Sequence, residues 1–484
     1  MAYSLTLNLV ETEAFIDGLW IEGDTTFEVL NPADGTVIAR VADLGPGETR
    51  VAIEAAHRAF PTWAARTAKE RGVILRRWSD LMLAHADDLA RLMTAEQGKP
   101  LAESRGEVAY GAAFIDWFAD EAKRAYGHTI PTPMPGKRLV SIKQPVGVCA
   151  AIAPWNFPIA MITRKVGPAL AAGCTVVVKP AAETPLCALA IARLAVEAGV
   201  PAGVLNVVTG KDSSAIGKAL CDDSRVRKLS FTGSTPVGKI LYAQCAGTMK
   251  KLSLELGGNA PFIVFDDADL EAAVDGAIAS KYRNTGQTCV CANRLLVQSG
   301  IHDAFVARLA EKVAAMKVGP GTGEGVVIGP LINDKAIAKV ESLVREAVEA
   351  GAKVVTGGQR HDLGGLFYQP TVLTEATPDM RLFQEEIFGP VAPVVKFHTE
   401  DQAIELANAT PFGLAAYFYS RDVGRCWRVA EAIEAGMVGI NEGLISTEVA
   451  PFGGVKESGL GREGSSEGLD EYFETKYLCF GGVG

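Results

Sequence analysis

The chain has 484 residues, of which 48% are hydrophobic and 21% are charged, and its formal net charge is -10. This length allows two or three packed domains, and the composition is that of an ordinary globular protein. The acidic balance argues against a nucleic-acid partner and means that an anionic substrate would need a locally basic pocket.

The N-terminus and the cysteines indicate a cytoplasmic protein without membrane contact. The first basic residue is Arg40, so the basic start of a signal peptide is missing. The longest apolar run, 166–178, contains glycine and proline and is too short to cross a bilayer. The nine cysteines are mostly scattered singly, which is typical of reduced thiols.

The early part of the chain alternates turn residues with amphipathic helices. Apolar residues at three- and four-residue spacing predict helices at 46–63, 68–82 and 87–97. Prolines and glycine in 130–136 interrupt this helical section. Residues 139–142, which follow, are a candidate for a strand that leaves the main body.

From residue 146 onward, apolar strands and helices alternate. The predicted strands are at 146–153, 174–179, 204–209 and 228–232, and the helices between them are at 159–172, 185–198 and 216–222. Continuous apolar strands between helices indicate a parallel sheet covered on both faces. The pattern is that of a doubly wound nucleotide-binding unit without its usual glycine fingerprint.

A second βα set follows a domain boundary that we place near 257–258. It includes strands at 260–265 and 294–297, helices at 270–282 and 302–316, and further segments from 351 to 397. The final segment, 472–480, alternates like a strand that could pair with another subunit. The predicted fold class is therefore α/β.

Residues 233–239 match most of a phosphate-binding P-loop. The next residue, Ile240, has no hydroxyl for magnesium, and Pro236 removes a backbone donor, so ATP hydrolysis is not expected. Two interpretations stay open: a helix start whose amides lie near a pyrophosphate, or an ordinary turn between a strand and a helix.

Residues 459–464 have the spacing of a dinucleotide fingerprint. Only twenty residues follow them, too few for the helix and second strand of that unit, and no clear strand precedes them. We predict a flexible loop. The six histidines show no ligand spacing, and no metal site is expected.

Cys289 is the candidate nucleophile, and it lies in a polar segment, 284–294. A thiolate that adds to an aldehyde gives a thiohemiacetal whose hydrogen can leave as hydride, and water can open the resulting thioester. Lone cysteines are more often small buried residues. The polar turn formed by Gly286, Gln287 and Thr288 favours the nucleophile instead.

Four further polar side chains stand at the ends of apolar strands or before a turn. Glu255 precedes two glycines, where partial dehydration can make a carboxylate a base. The Asn156 amide can donate to a developing oxyanion, and Lys179 can reach ribose hydroxyls. A surface glutamate and an asparagine in a proline-flanked turn are the plain alternatives. Glu386, in an acidic pair, would by itself more often be a solvated residue.

Together these segments resemble the aldehyde dehydrogenase superfamily over nearly the whole chain. The likeness extends to the succinate-semialdehyde dehydrogenases, including the bacterial enzyme of 4-aminobutyrate breakdown, at 162–165, 286–294, 443–446 and 451–456. The resemblance implies doubly wound sheets in two domains and a small β oligomerisation element. It implies an NAD(P)-binding domain at 1–126 and 148–257, a catalytic domain at 258–440, a return segment at 441–469, and oligomerisation strands at 127–147 and 470–484 of a homodimer or homotetramer.

The resemblance also implies residue roles. Cys289 would be the nucleophile, Glu255 the base that activates the deacylating water, and Asn156 with the Cys289 amide the oxyanion hole. A larger set would hold the cofactor: Trp155, Asn156, Lys179, Pro180, Ala181, Ala182, Gly233, Ser234, Leu256 and Glu386.

Substrate choice follows from the same resemblance. Arg164, Arg283 and Ser446 would grip the far carboxylate of succinate semialdehyde, because guanidinium groups bind carboxylates in a bidentate manner. Two surface arginines remain an alternative. Glutarate semialdehyde, one methylene longer, is the nearest competing substrate, and a broader aldehyde range stays open. An enzyme that passes the acyl group to coenzyme A, or a non-catalytic relative, is disfavoured by Glu255 and the intact catalytic set.

Cofactor choice depends on the residues after Lys179. Related NAD-preferring enzymes often carry a glutamate three residues after this lysine, but here Ala182 stands there and Glu183 follows one step later. We therefore predict NADP as the preferred cofactor, with NAD possible. The resemblance further implies that Cys291 could form a reversible disulfide with Cys289.

Overall fold

The structure, a computed structural model, describes residues 9–482. The first eight residues of the predicted cofactor domain and the last two of the predicted oligomerisation strand lie outside the described residues.

The described strands are β1 (Ala14–Ile16), β2 (Leu19–Ile21), β3 (Thr26–Leu30), β4 (Val37–Ala42), β5 (His128–Ile130), β6 (Lys137–Pro145), β7 (Val148–Ile152), β8 (Thr175–Lys179), β9 (Leu205–Val207), β10 (Val226–Thr232), β11 (Lys251–Glu255), β12 (Ala260–Val264), β13 (Ala292–Gln298), β14 (Lys353–Thr356), β15 (Thr371–Thr374), β16 (Val391–Phe397), β17 (Phe412–Gly413), β18 (Ala415–Tyr419), β19 (Met437–Ile440), β20 (Val455–Lys456), β21 (Gly459–Leu460) and β22 (Phe473–Gly481).

The described α-helices are α1 (Pro46–Ala64), α2 (Ala68–Ala84), α3 (Ala86–Gln97), α4 (Leu101–Glu121), α5 (Ala160–Ala172), α6 (Pro185–Ala198), α7 (Ser213–Asp222), α8 (Thr235–Cys245), α9 (Leu270–Lys281), α10 (His302–Ala314), α11 (Asp334–Glu349), α12 (Arg381–Gln384), α13 (Glu400–Asn408), α14 (Val423–Ala432) and α15 (Ser465–Asp470).

The larger of two central sheets has the strand order β2-β1-β9-β8-β7-β10-β11-β21. Its middle strands, from β9 to β11, are parallel, and the strands at both edges are antiparallel. The intervening helices begin and end at residues that favour helix termini: α6 begins at Pro185, and both α5 and α6 end at a left-handed glycine, Gly173 or Gly199. The β8 strand is buried at every residue, because helices cover both faces.

The second central sheet has the order β14-β15-β16-β13-β12-β18-β19. It is parallel from β15 to β19, with β14 antiparallel at one edge. These two sheets confirm the predicted doubly wound α/β class. The carboxyl ends of β7, β8, β10 and β11 carry Asn156, Lys179, Gly233 and Glu255 at or just after the strand, so one sheet edge gathers the predicted chemistry.

A third, three-stranded sheet has the order β22-β6-β5 and is antiparallel. The final strand therefore pairs with β6 of its own chain, from Phe473 opposite Pro145 to Gly481 opposite Lys137. The domain boundaries, and the oligomer that these strands would build, stay predictions. Among residues 9–482, no helix combines the length and the apolar character that a membrane crossing requires.

The predicted flexible loop at 459–464 is wrong. Residues 459 and 460 form β21, which pairs with the end of β11, and Glu463 makes a β-bridge with Phe452. A Cβ on Gly459 would lie 1.8 Å from the Leu254 carbonyl oxygen, so a glycine permits this close approach of two backbones. The glycines here serve strand packing rather than phosphate binding or flexibility.

Candidate active site

A cleft of about 490 Å³ lies at the carboxyl ends of the first sheet and reaches toward the second. Trp155, Gly233, Ser234, Leu256 and Glu386 line it, and Cys289 closes its inner end. The turn from β10 into α8 therefore faces this cleft, which favours the anion-binding interpretation of 233–239 over an ordinary turn.

Cys289 also lines a second, much smaller pocket of about 10 Å³. That pocket contains Arg164, Arg283 and Ser446 together with aromatic and apolar side chains. The three predicted substrate residues, which lie far apart in the sequence, thus come together next to the predicted nucleophile. Cys289, which is half-buried, lines both the large cleft and the pocket with two guanidinium groups.

The Cys289 thiol is protonated at rest. Burial raises its pKa to about 12, with a further contribution from the negative charge of Glu386. Arg164 opposes this shift. The preceding helix α9 points its carboxyl end at the loop, so it offers no favourable dipole to a thiolate.

Glu255 is 2% exposed at the end of β11, and neither of its carboxylate oxygens has a hydrogen-bond partner. Burial and the nearby charge of Glu463 raise the pKa of Glu255 well above its ordinary value. A buried carboxyl with free oxygens and an elevated pKa is suited to accept a proton from water.

Asn156 is 4% exposed, and its side chain lies against the loop that carries Cys289. Its Nδ2 donates to the Gln287 carbonyl at 3.1 Å. The second Nδ2 hydrogen is the one that could face an oxyanion at Cys289, because Asn156 lines the cleft beside this sulfur.

The two arginines of the smaller pocket differ in their surroundings. Arg164 is buried between the rings of Phe114 and Phe452, and its Nε lies 2.9 Å from Glu463 Oε2. Its Nη2 has no hydrogen-bond partner. Arg283 stacks over the Phe157 ring at 4.9 Å, and no carboxylate in the described chain lies within ion-pair distance of it.

Comparison with known proteins decides the family. The aldehyde dehydrogenase family model matches residues 20–478. An NADP(+)-linked succinate-semialdehyde dehydrogenase of Escherichia coli is 59% identical over 476 residues, covering 98% of each chain.

The chain belongs to the aldehyde dehydrogenase family.

Other relatives of this aldehyde dehydrogenase carry different substrate names. A glutarate-semialdehyde dehydrogenase of Pseudomonas aeruginosa is 60% identical over 477 residues, covering 98% of this chain and 99% of the relative. A 3-sulfolactaldehyde dehydrogenase of Pseudomonas putida is 59% identical over 478 residues, covering 98% of each. The crystal structure of a succinate-semialdehyde dehydrogenase from Burkholderia pseudomallei has a TM-score of 0.97 at 61% identity, with 98% of each chain covered.

Enzymes of this family use NAD(P), and the cleft of this aldehyde dehydrogenase fits such a cofactor. Glu386 lines the cleft, and one of its carboxylate oxygens accepts a hydrogen bond from the Gly258 amide. Burial raises the pKa of Glu386 to about 7. Lys179 is 1% exposed, its Nζ donates to the Pro180 carbonyl at 2.7 Å, and burial lowers its pKa to about 8.

Not every predicted cofactor residue lines the cleft. Lys179 and Pro180 are buried, and Ala181 and Ala182 are half-buried, but none of these four residues borders the main cavity. The sequence also missed two lysines of α11: Lys335 and Lys339 line the cleft, and Lys339 Nζ donates to the Glu386 carbonyl at 2.5 Å. The sequence of α11 contains no recognisable motif, so its position beside the cleft becomes visible only in the folded structure.

Glu463 is the most important residue that the sequence analysis missed. It is 4% exposed, forms ion pairs with Arg164 and Lys165, and influences the pKa of Glu255. Glu463 lies within the glycine pattern 459–464, which predicts a flexible loop and so gives no sign of a buried charged residue.

Cys291, the predicted redox partner, is buried two residues beyond Cys289 and is a free thiol. Its Sγ donates to the Lys281 carbonyl at 3.7 Å, and burial raises its pKa. The disulfide stays a prediction.

Proposed function

We propose that this aldehyde dehydrogenase oxidises succinate semialdehyde to succinate, with NADP as the preferred cofactor. The observation that carries the proposal is that Cys289 lines both the cleft of about 490 Å³ and a pocket containing Arg164 and Arg283. The pocket supplies the local positive charge that a chain with net charge -10 needs for an anionic substrate.

Each residue has a defined task in the proposed reaction. As the Cys289 sulfur adds to the aldehyde carbon, the thiol releases its proton, and the Asn156 amide and the Cys289 main-chain amide stabilise the resulting oxyanion. A nicotinamide dinucleotide bound in the cleft supplies the hydride acceptor. Loss of hydride leaves a thioester on Cys289, and Glu255 takes a proton from the water that hydrolyses it. The products are a carboxylate and the regenerated thiol.

Substrate recognition depends on the far end of the aldehyde. We propose that Arg283 and Arg164, with Ser446, bind the distal carboxylate while the aldehyde carbon faces Cys289. The names of the relatives support an acidic aldehyde, since they specify succinate semialdehyde, glutarate semialdehyde or 3-sulfolactaldehyde. Glutarate semialdehyde is the second candidate because two relatives at 60% identity carry its name.

The NADP preference is supported by two observations. The residue three positions after Lys179 is Ala182 rather than a carboxylate, and the Escherichia coli relative is named for NADP(+).

A panel of kcat/KM values tests the proposal. The substrates are succinate semialdehyde, glutarate semialdehyde, 3-sulfolactaldehyde and pentanal, each with NAD and with NADP, in the presence and absence of coenzyme A. We expect the highest value for succinate semialdehyde with NADP and free succinate as the product. A higher kcat/KM for glutarate semialdehyde would show that this aldehyde is the substrate instead. An equal kcat/KM for pentanal would show that the arginine pocket does not select for a carboxylate. Succinyl-coenzyme A as the product would show that the enzyme transfers the acyl group to coenzyme A instead of hydrolysing the thioester.

A further inference from the structure

A buried cation lies beneath the segment that carries Asn156. Lys99, in the turn between α3 and α4, is 1% exposed, and its Nζ donates to the Asn156 main-chain carbonyl at 2.7 Å. The same Nζ lies 3.9 Å from the centroid of the Phe157 ring. Its counter-ion is Glu107 of α4, which is 2% exposed. The catalytic scheme above uses neither member of this buried ion pair.

Glu107 holds the other end of the same segment. Its Oε2 pairs with Lys99, and its Oε1 accepts hydrogen bonds from the main-chain amides of Ile159 at 2.9 Å and Ala160 at 3.2 Å. These amides stand at the beginning of α5 and have no partner within the helix. The ion pair therefore fixes residues 156–160 at both ends.

The Asn156 carbonyl also receives a hydrogen bond from the loop that carries Cys289. Asn284 Nδ2 donates to it at 2.9 Å and to the Gln287 carbonyl at 3.2 Å. The Gln287 carbonyl is the acceptor of the Asn156 side chain as well. Gln97 links the two halves, since its Nε2 donates to Asn284 Oδ1 and its Oε1 accepts from the Lys99 amide, both at 3.0 Å.

Simple helix packing does not require a charged pair at this place. Helices α4 and α5 are already in close apolar contact, because a Cβ on Gly111 would lie 2.7 Å from the Ile159 side chain. Buried ion pairs are seldom a net source of stability compared with apolar residues of the same size. Their fixed geometry, however, can orient the groups to which they are hydrogen-bonded.

We propose, on the basis of the function proposed above, that Lys99 and Glu107 are positioning residues of the oxyanion site. They act through the main chain of Asn156, and they set the angle at which its amide faces an aldehyde oxygen on Cys289. Neither side chain touches the substrate. Small errors in such a donor are costly, because a misplacement of about 1 Å can reduce a rate on the order of a hundredfold.

A double-mutant cycle tests this role. The variants are Lys99→Met, Asn156→Ala and the combination, compared by kcat/KM for succinate semialdehyde at saturating NADP. We expect Lys99→Met to lower kcat/KM by about thirty- to a hundredfold in the parent enzyme. In the Asn156→Ala background the same change should cost less than about threefold, because the donor it orients is gone. If the reduction in kcat/KM of the double variant equals the product of the two single reductions, Lys99 acts independently of Asn156 and the proposal is overturned.

Two further variants keep the test decisive. Glu107→Gln retains an acceptor for the Ile159 and Ala160 amides, and it replaces Lys99→Met in the cycle if that variant does not fold. Arg105→Met, at an exposed position of α4, is the matched control and should change kcat/KM by less than about twofold. If the parent enzyme shows no aldehyde oxidation that depends on Cys289, the proposed function and this positioning role are both overturned. If the enzyme is active but the reductions in kcat/KM multiply, only the positioning role is overturned.

Discussion

Replacement of Arg283 by methionine should remove most of the preference for an acidic aldehyde. Arg164 shares the carboxylate of Glu463 with Lys165, whereas no carboxylate among residues 9–482 lies within ion-pair distance of Arg283, whose charge interacts with that of Glu103. Arg283 is therefore the pocket arginine that forms no ion pair, and its guanidinium group is available to a substrate carboxylate. Methionine retains an unbranched side chain that can pack against Phe157, so the change removes chiefly the guanidinium group.

The size of the effect follows from the bonds that are lost. Hydrogen bonds to a charged group contribute about 1.5–3 kcal/mol. A difference of about 1.4 kcal/mol corresponds to a factor of ten, so we expect kcat/KM for succinate semialdehyde to fall about 10- to 150-fold. Pentanal has a similar length but no carboxylate, and its kcat/KM should change by less than about threefold.

The assay is initial-rate NADPH formation for both aldehydes with the parent, Arg283→Met and an exposed-arginine control, Arg77→Met. The control should leave both substrates unaffected, which separates the pocket from the overall charge of the protein. An equal loss for succinate semialdehyde and pentanal would refute the reasoning, because it would show that Arg283 supports the site without binding the carboxylate.

Three further predictions follow from the cofactor cleft and the thiols. Ala182→Glu should lower the ratio of kcat/KM for NADP to that for NAD by about tenfold or more, because a carboxylate there repels a 2′-phosphate; an unchanged ratio would show that this position does not sense the phosphate. The rate of Cys289 alkylation by iodoacetamide should rise about tenfold per pH unit between about pH 7 and pH 10, because the pKa of the thiol is about 12. At fixed pH, Glu386→Gln should increase this rate, because it removes a negative charge that raises the pKa of Cys289. A plateau below about pH 8 would contradict that protonation state. Cys291→Ala should slow inactivation by hydrogen peroxide if the two thiols form a disulfide, and unaltered sensitivity would remove this hypothesis.

Local sequence patterns predict the fold class, whereas the roles of the catalytic residues come from the resemblance to the aldehyde dehydrogenase superfamily and stay predictions. Continuous apolar strands between helices specify a covered parallel sheet, and its strand ends carry Asn156, Lys179 and Glu255. Cys289 stood out because its neighbours are polar where a buried thiol would have apolar ones. These signals lie within a few residues of each side chain.

Long-range partners were not predictable in the same way. Glu463 meets Lys165 across 298 residues of sequence, and Lys99 meets Asn156 across 57. A charged residue in an otherwise ordinary helix or loop gives no sign that it will be buried against an opposite charge. The glycines of 459–464 were misleading for a related reason, since close backbone packing and phosphate binding both demand glycine.

The most direct test of the account is the detection of an acyl group on Cys289 during turnover. Glu255→Gln removes the proposed base for hydrolysis, so the thioester should accumulate after acid quenching with succinate semialdehyde and NADP. Peptide mapping by mass spectrometry should then find a succinyl group on the peptide that contains Cys289, and Cys289→Ser should neither carry it nor reduce the dinucleotide at the parent rate. A Cys289→Ser enzyme that forms NADPH at the parent rate, with no acyl group on residue 289, would contradict the account.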